Sequence, residues 1–184
     1  AYNNMGNTLT DMGDHVKAIE TYFQAIKIRP NYPDTYKNMG FALKMVVFTE
    51  PNSDLNEIIS SIIDQKNIIK PTDISRPAIN LLKFDPAIKK LLEKCLSGEI
   101  NESVESIVSD LSRNPLLLKL MSVCAIPDAQ LEAAFRDIRY SLIKSVNIIK
   151  NSPDLLRFQS ALALHCFTNE YVYYQNDKET SLIK

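Results

Sequence analysis

Tyr2-Asn3-Asn4-Met5-Gly6-Asn7-Thr8-Leu9 and Tyr36-Lys37-Asn38-Met39-Gly40-Phe41-Ala42-Leu43 read almost alike, 34 residues apart, with Tyr, Asn, Met, Gly and Leu in register. Recurrence at such a period marks a stacked array of helical hairpins, because one hairpin cannot bury its apolar face without a neighbour. This excludes most other architectures for the start of the chain.

The interval between the copies agrees. Tyr2, Met5, Gly6 and Leu9 fall on one face of a first helix, which breaks around Asp11-Met12-Gly13-Asp14. A second helix runs from about His15 to Ile28, with Ala18, Ile19, Tyr22, Ala25 and Ile26 at helical spacing. Pro30 and Pro33 end it. Gly6 and Ala18 are small where the helices cross closely, and Tyr22 and Tyr2 fill the wider gaps. With Gly13 and Pro30, this alternation resembles the tetratricopeptide repeat. The resemblance implies an α-solenoid whose concave face binds protein.

The second copy departs after Leu43, where Val46-Val47-Phe48-Thr49-Glu50-Pro51-Asn52-Ser53 reads as a β-branched run and a turn. One full repeat plus the first helix of another is expected over residues 1–50. Arrays need about three repeats for stability. Ala1 lies within a helical pattern, so the reading expects a fragment with earlier repeats missing.

From Ser53 onward the pattern is helical, with proline marking many starts. Asp54 to Gln65 carries Leu55, Ile58, Ile59, Ile62 and Ile63 as an apolar stripe. Asp85-Pro86 reads as a cap opening Ala87 to Ser97, with Gly98 as the stop. Asn114-Pro115 repeats the device, Pro127-Asp128 opens a long helix, and Ser152-Pro153-Asp154 opens the last. The expected class is all-α: helical hairpins, then an irregular helical domain of five to seven helices at 51–176, then a tail or cut linker at 177–184.

Charge and composition remove several functions. Lys plus Arg 21 against Asp plus Glu 22 leaves a net charge of −1, with no field to gather nucleic acid or anionic lipid. No apolar run approaches the roughly 20 residues that cross a bilayer. Cys95, Cys124 and Cys166 are odd in number and far apart, which reads as reduced thiols and a cytoplasmic location. Gly6, Gly13, Gly40 and Gly98 all have structural places, so no phosphate-cradling loop remains and no cofactor is expected.

The end of the chain carries a second resemblance. Leu116-Leu117-Leu118-Lys119-Leu120-Met121, Pro127-Asp128, Leu131-Glu132, Phe135, Arg139 and the run from Ala161 to Tyr173 look like a helical segment of bacterial proteins. There it lies between tetratricopeptide repeats and an S-adenosylmethionine-dependent methyltransferase domain. That resemblance implies a substrate- or partner-binding front of a larger bacterial enzyme, non-catalytic in these residues. The alternatives are the regulatory portion of such a methyltransferase, or of a glycosyltransferase similar to the O-linked N-acetylglucosamine transferases.

The candidate peptide-binding residues are Asn3, Asn4, Asn7 and Asp11 from the first copy and Lys37, Asn38, Phe41 and Lys44 from the second. Asn4 and Asn38 occupy matching places, so stacking should align two carboxamides, which can pair with the main chain of an extended peptide. In the related glycosyltransferases a ladder of such asparagines holds the substrate; the plain alternative is a solvated polar face. Lys37 and Lys44 could attract a carboxylate, though a terminal clamp needs charges from three repeats. Elsewhere His165, Cys166, Asn169 and Glu170 form a cluster of chemically capable residues, read mainly as a packing helix, with Cys166 as a nucleophile the sharper option and no metal expected. Arg136, Arg139 and Lys144, interleaved with Glu132 and Asp137, read as a solvated face or a docking surface.

Overall fold

The computed structural model describes residues 1–65, 67–145, 152–168 and 177–183, and within them the chain is all-α, with eleven helices and no strand. Contacts divide it into two units, Ala1–Leu81 and Leu82–Lys184. The first unit therefore extends past residue 50, where the repeat pattern fades.

In the first unit, α1 (Tyr2–Asp11), α2 (His15–Ile28) and α3 (Pro33–Lys44) pack on one another. Gly13 takes a φ of +82° at the α1–α2 bend, a left-handed geometry that an L side chain resists. The Asp14 carboxylate then accepts the Lys17 backbone N–H, and Pro33 opens α3. Ala18, Ile19 and Tyr22 of α2 and Met39, Ala42 and Leu43 of α3 are fully buried or nearly so.

Gly6 leaves room for the Tyr22 ring: a Cβ there would stand 2.4 Å from Tyr22 Cε1. The matching Gly40 meets Ile69 instead, at 2.5 Å from its Cδ1. A residue from beyond the next helix thus does for the second copy what an aromatic ring does for the first. Of the face expected to be covered on α1, only Gly6 is buried; Tyr2 and Met5 are 46% and 56% exposed. Tyr2 therefore does not fill the gap assigned to it.

After α3 the chain runs without helix through Val46-Val47-Phe48. Val46 and Phe48 are buried while Val47 faces out, the alternation of extended backbone, and Phe48 N–H donates to the Asn80 side chain. α4 (Ser53–Ile63) buries Leu55, Ile58, Ile59, Ile62 and Ile63, the stripe read from sequence, and is capped by Asn52. α5 (Pro71–Leu82) contains Pro77 in its interior.

The second unit comprises α6 (Pro86–Ser97), α7 (Ile100–Ser112), α8 (Pro115–Val123), α9 (Ala129–Lys144), α10 (Pro153–Thr168) and α11 (Asp177–Ile183). α7 packs against α6, α8, α9 and α10, and α10 also lies along α8. Leu91, Ile107, Leu111, Leu116, Leu120, Phe135, Ile138 and Phe158 form the core at 1% exposure or less. Each such side chain removed from water contributes about 1.5–3 kcal/mol. Residues 177–183, expected as a tail, form a helix in contact with α9.

Local caps fix where these helices begin. Asp85 Oδ1 accepts from Ala87 N at 2.8 Å and Ile88 N at 3.4 Å. Asn114 Oδ1 accepts from Leu117 N at 2.9 Å, while Asn114 Nδ2 donates to Asp85 Oδ2 at 2.8 Å. The caps of α6 and α8 are thereby joined by one hydrogen bond. Gly98, at φ +73°, terminates α6.

Candidate functional site: the seam between α1 and α3

Asn3 and Asn7 are one helical turn apart and so share a face of α1. Asn38 of α3 donates to both, from Nδ2 to Asn3 Oδ1 at 3.4 Å and to Asn7 Oδ1 at 3.0 Å. Asn7 Oδ1 also accepts from the Tyr22 hydroxyl at 2.8 Å, and that hydroxyl lies 3.2 Å from Thr10 Oγ1. The result is a polar chain from α2 through α1 to α3. Among the described residues, Asn38 Oδ1 and the Asn7 amide nitrogen have no such partner and remain available to a ligand.

The carboxamide register differs from the one expected. Asn38 pairs with Asn3 and Asn7, a turn apart on α1, and not with Asn4. Asn4 instead lines a cavity of about 470 Å³ with Asn3, Tyr2, Ile28, Arg29, Tyr32 and Thr35. A second cavity, of about 280 Å³, is lined by Asn7, Thr10, Asp11, Tyr22, Asn38 and Phe41. Four of the eight candidate residues meet in this one. The contribution of Tyr22 and Thr10 was missed, since Tyr22 read as a packing residue and Thr10 carried no signal in the repeat pattern.

The lysines are already engaged. Lys37 Nζ stands 3.7 Å from Asp34 Oδ1, and Lys44 Nζ 2.8 Å from Asp73 Oδ2. Asp73 comes from α5, beyond the repeat, and nothing in the spacing of the repeat announces it. The Tyr22 hydroxyl is shifted up from its ordinary pKa, first by burial, then countered by its bond to Thr10, with the charge of Asp11 raising it further.

In the second unit His165 is fully buried, edge-on to Phe135 at 5.6 Å between ring centres. Burial pushes its pKa down to about 4, opposed by a hydrogen bond to the Cys124 backbone. Cys166 is part-exposed, with Arg139 Nη1 at 3.9 Å from Sγ. His165 thus packs in the core, and Asn169 and Glu170 lie outside the described residues. The thiols of Cys95 and Cys124 are pushed up to about 11, chiefly by burial. Arg136 Nε sits 3.6 Å from Asp137 Oδ1, within the mixed charge expected along α9.

Residues 6–46 match a protein-family model described as "TPR repeat". The first unit carries a tetratricopeptide repeat. At the general level such a repeat is a protein-interaction scaffold, and the matched segment includes Asn7 and Asn38 of the seam but not Asn3. No curated protein and no solved structure matches the chain. Nothing in these comparisons supports the likeness of the second half to a methyltransferase-associated segment. No helix among the described residues is long and apolar enough to cross a membrane.

Proposed function

We propose that the first unit binds an extended peptide segment of a partner protein along the α1–α3 seam. The observation that carries this reading is the bridge from Asn38 to Asn3 and Asn7, which orders three carboxamides while leaving donors and an acceptor unused. A peptide main chain offers the complementary pair at every residue, so ordered carboxamides serve it independently of its side chains.

The test is selection of linear peptides from a random display library on the immobilised chain, followed by affinity measurement on Asn38→Ala and Asn7→Ala variants. Each variant should weaken a selected peptide by roughly fivefold to tenfold, the worth of one hydrogen bond of about 1 kcal/mol or slightly more. Folding, read by circular dichroism, should be retained. Peptides that bind both variants as tightly as the parent would remove the seam from the reading.

A further inference from the structure

We propose that the cavity between α1 and α3 takes a cationic side chain, an arginine foremost, from the extended segment bound there. This deepens the peptide-binding reading and rests on it. The first observation is a charge imbalance. Lys44 pairs with Asp73 at 2.8 Å and Lys37 stands 3.7 Å from Asp34, whereas Asp11 has no ion-pair partner among the described residues. Asp11 is also the last residue of α1, where the helix dipole leaves partial negative charge, and no basic residue occupies that last turn. The wall of the cavity is therefore negative, opposite in sign to what the two lysines suggest in sequence.

The second observation is an uncovered ring. Phe23 carries Lys27 Nζ at 4.5 Å from its centre and Phe84 carries Lys89 Nζ at 5.7 Å. Phe41 is 58% exposed and lines the same cavity as Asp11, with no such cation among the described residues. An aromatic face beside an uncompensated carboxylate offers both attractions a guanidinium uses: stacking on the ring and charge-assisted hydrogen bonds in its own plane. Asn38 Oδ1 supplies a further acceptor. A carboxylate in the same place would meet Asp11, and no lysine lines the cavity.

The experiment titrates the ¹⁵N-labelled chain with N-acetyl-arginine amide, its neutral isostere N-acetyl-citrulline amide, and N-acetyl-glutamate amide. Backbone and carboxamide signals are followed by NMR. The arginine derivative should shift the signals of Asp11, Asn38 and Phe41 along a saturable curve, with roughly fivefold or greater preference over citrulline, the size expected of a surface ion pair joined to a cation–π contact. Asp11→Asn should bring the two derivatives within about twofold of each other, and Phe41→Ala should weaken the arginine derivative alone. Equal response to arginine and citrulline, a stronger response to glutamate, or no response to arginine up to its solubility each overturns the proposal. If display-selected peptides bind the seam without regard to charge, only this inference falls. If no peptide binds, the functional reading falls with it.

Discussion

The two units treat their polar groups in opposite ways. In the first, Asn3, Asn7, Asn38 and Tyr22 meet at a surface seam, bonded enough to be ordered and open enough to accept more. In the second, the cap pair Asp85–Asn114 is spent on helix ends and His165 is locked in the core. A polar group that stabilises a fold is closed by its partners, whereas one that recognises a ligand keeps capacity in reserve. By that measure the proposed recognition site falls in the first unit.

The largest effect that could break this contrast is acid sensitivity of the second unit. His165 has a folded pKa of about 4 against an ordinary 6.5. The unfolded chain takes up the proton first as pH falls, so the stability associated with neutral His165 is complete above pH 6.5 and is lost progressively down to about pH 4. The loss should reach about 3 kcal/mol. Denaturant unfolding across this range should show a shallower pH slope in His165→Leu than in the parent; equal slopes would mean the ring is not held neutral.

Next in size is the pair of glycine notches. Gly6→Ala drives a methyl into three atoms of the Tyr22 ring, at 2.4, 2.6 and 2.8 Å, and a ring confined between helices cannot bend away. It should cost about 1–3 kcal/mol. Gly40→Ala meets chiefly the mobile end of Ile69, and the roughly 1 kcal/mol of helix propensity gained offsets the adjustment. Thermal unfolding of the two variants should separate them clearly. Equal destabilisation would show that the Ile69 contact is as rigid as the ring.

The smallest of these effects sharpens the account of the second unit. Asn114→Ala removes the cap of α8 and the bond to Asp85 together. It should cost about 1–2 kcal/mol, with Asp85→Ala plus Asn114→Ala costing less than the sum of the single changes. Strict additivity would show that the two caps act independently.

How much of this was legible follows from the range of each interaction. Asp85-Pro86, Asn114-Pro115, Pro127-Asp128 and Gly98 act within a few residues, so the helix ends they mark could be read directly. α5 and α7 were not singled out: Pro77 in the interior of α5 reads as a break, and α7 begins at Ile100 without a side-chain cap. The asparagine positions were readable from the repeat, but not their pairing, because that depends on how α1 and α3 pack rather than on spacing within either. Likewise the neutralisation of Lys44 depends on Asp73, 29 residues further along.

The Ile69 side chain seated over Gly40 also bears on how this protein can change. A duplicated hairpin inserted after α3 would arrive at a notch already filled. Lengthening the array from this side requires displacing the segment around Ile69 first, so evolutionary growth there should be rarer than substitution.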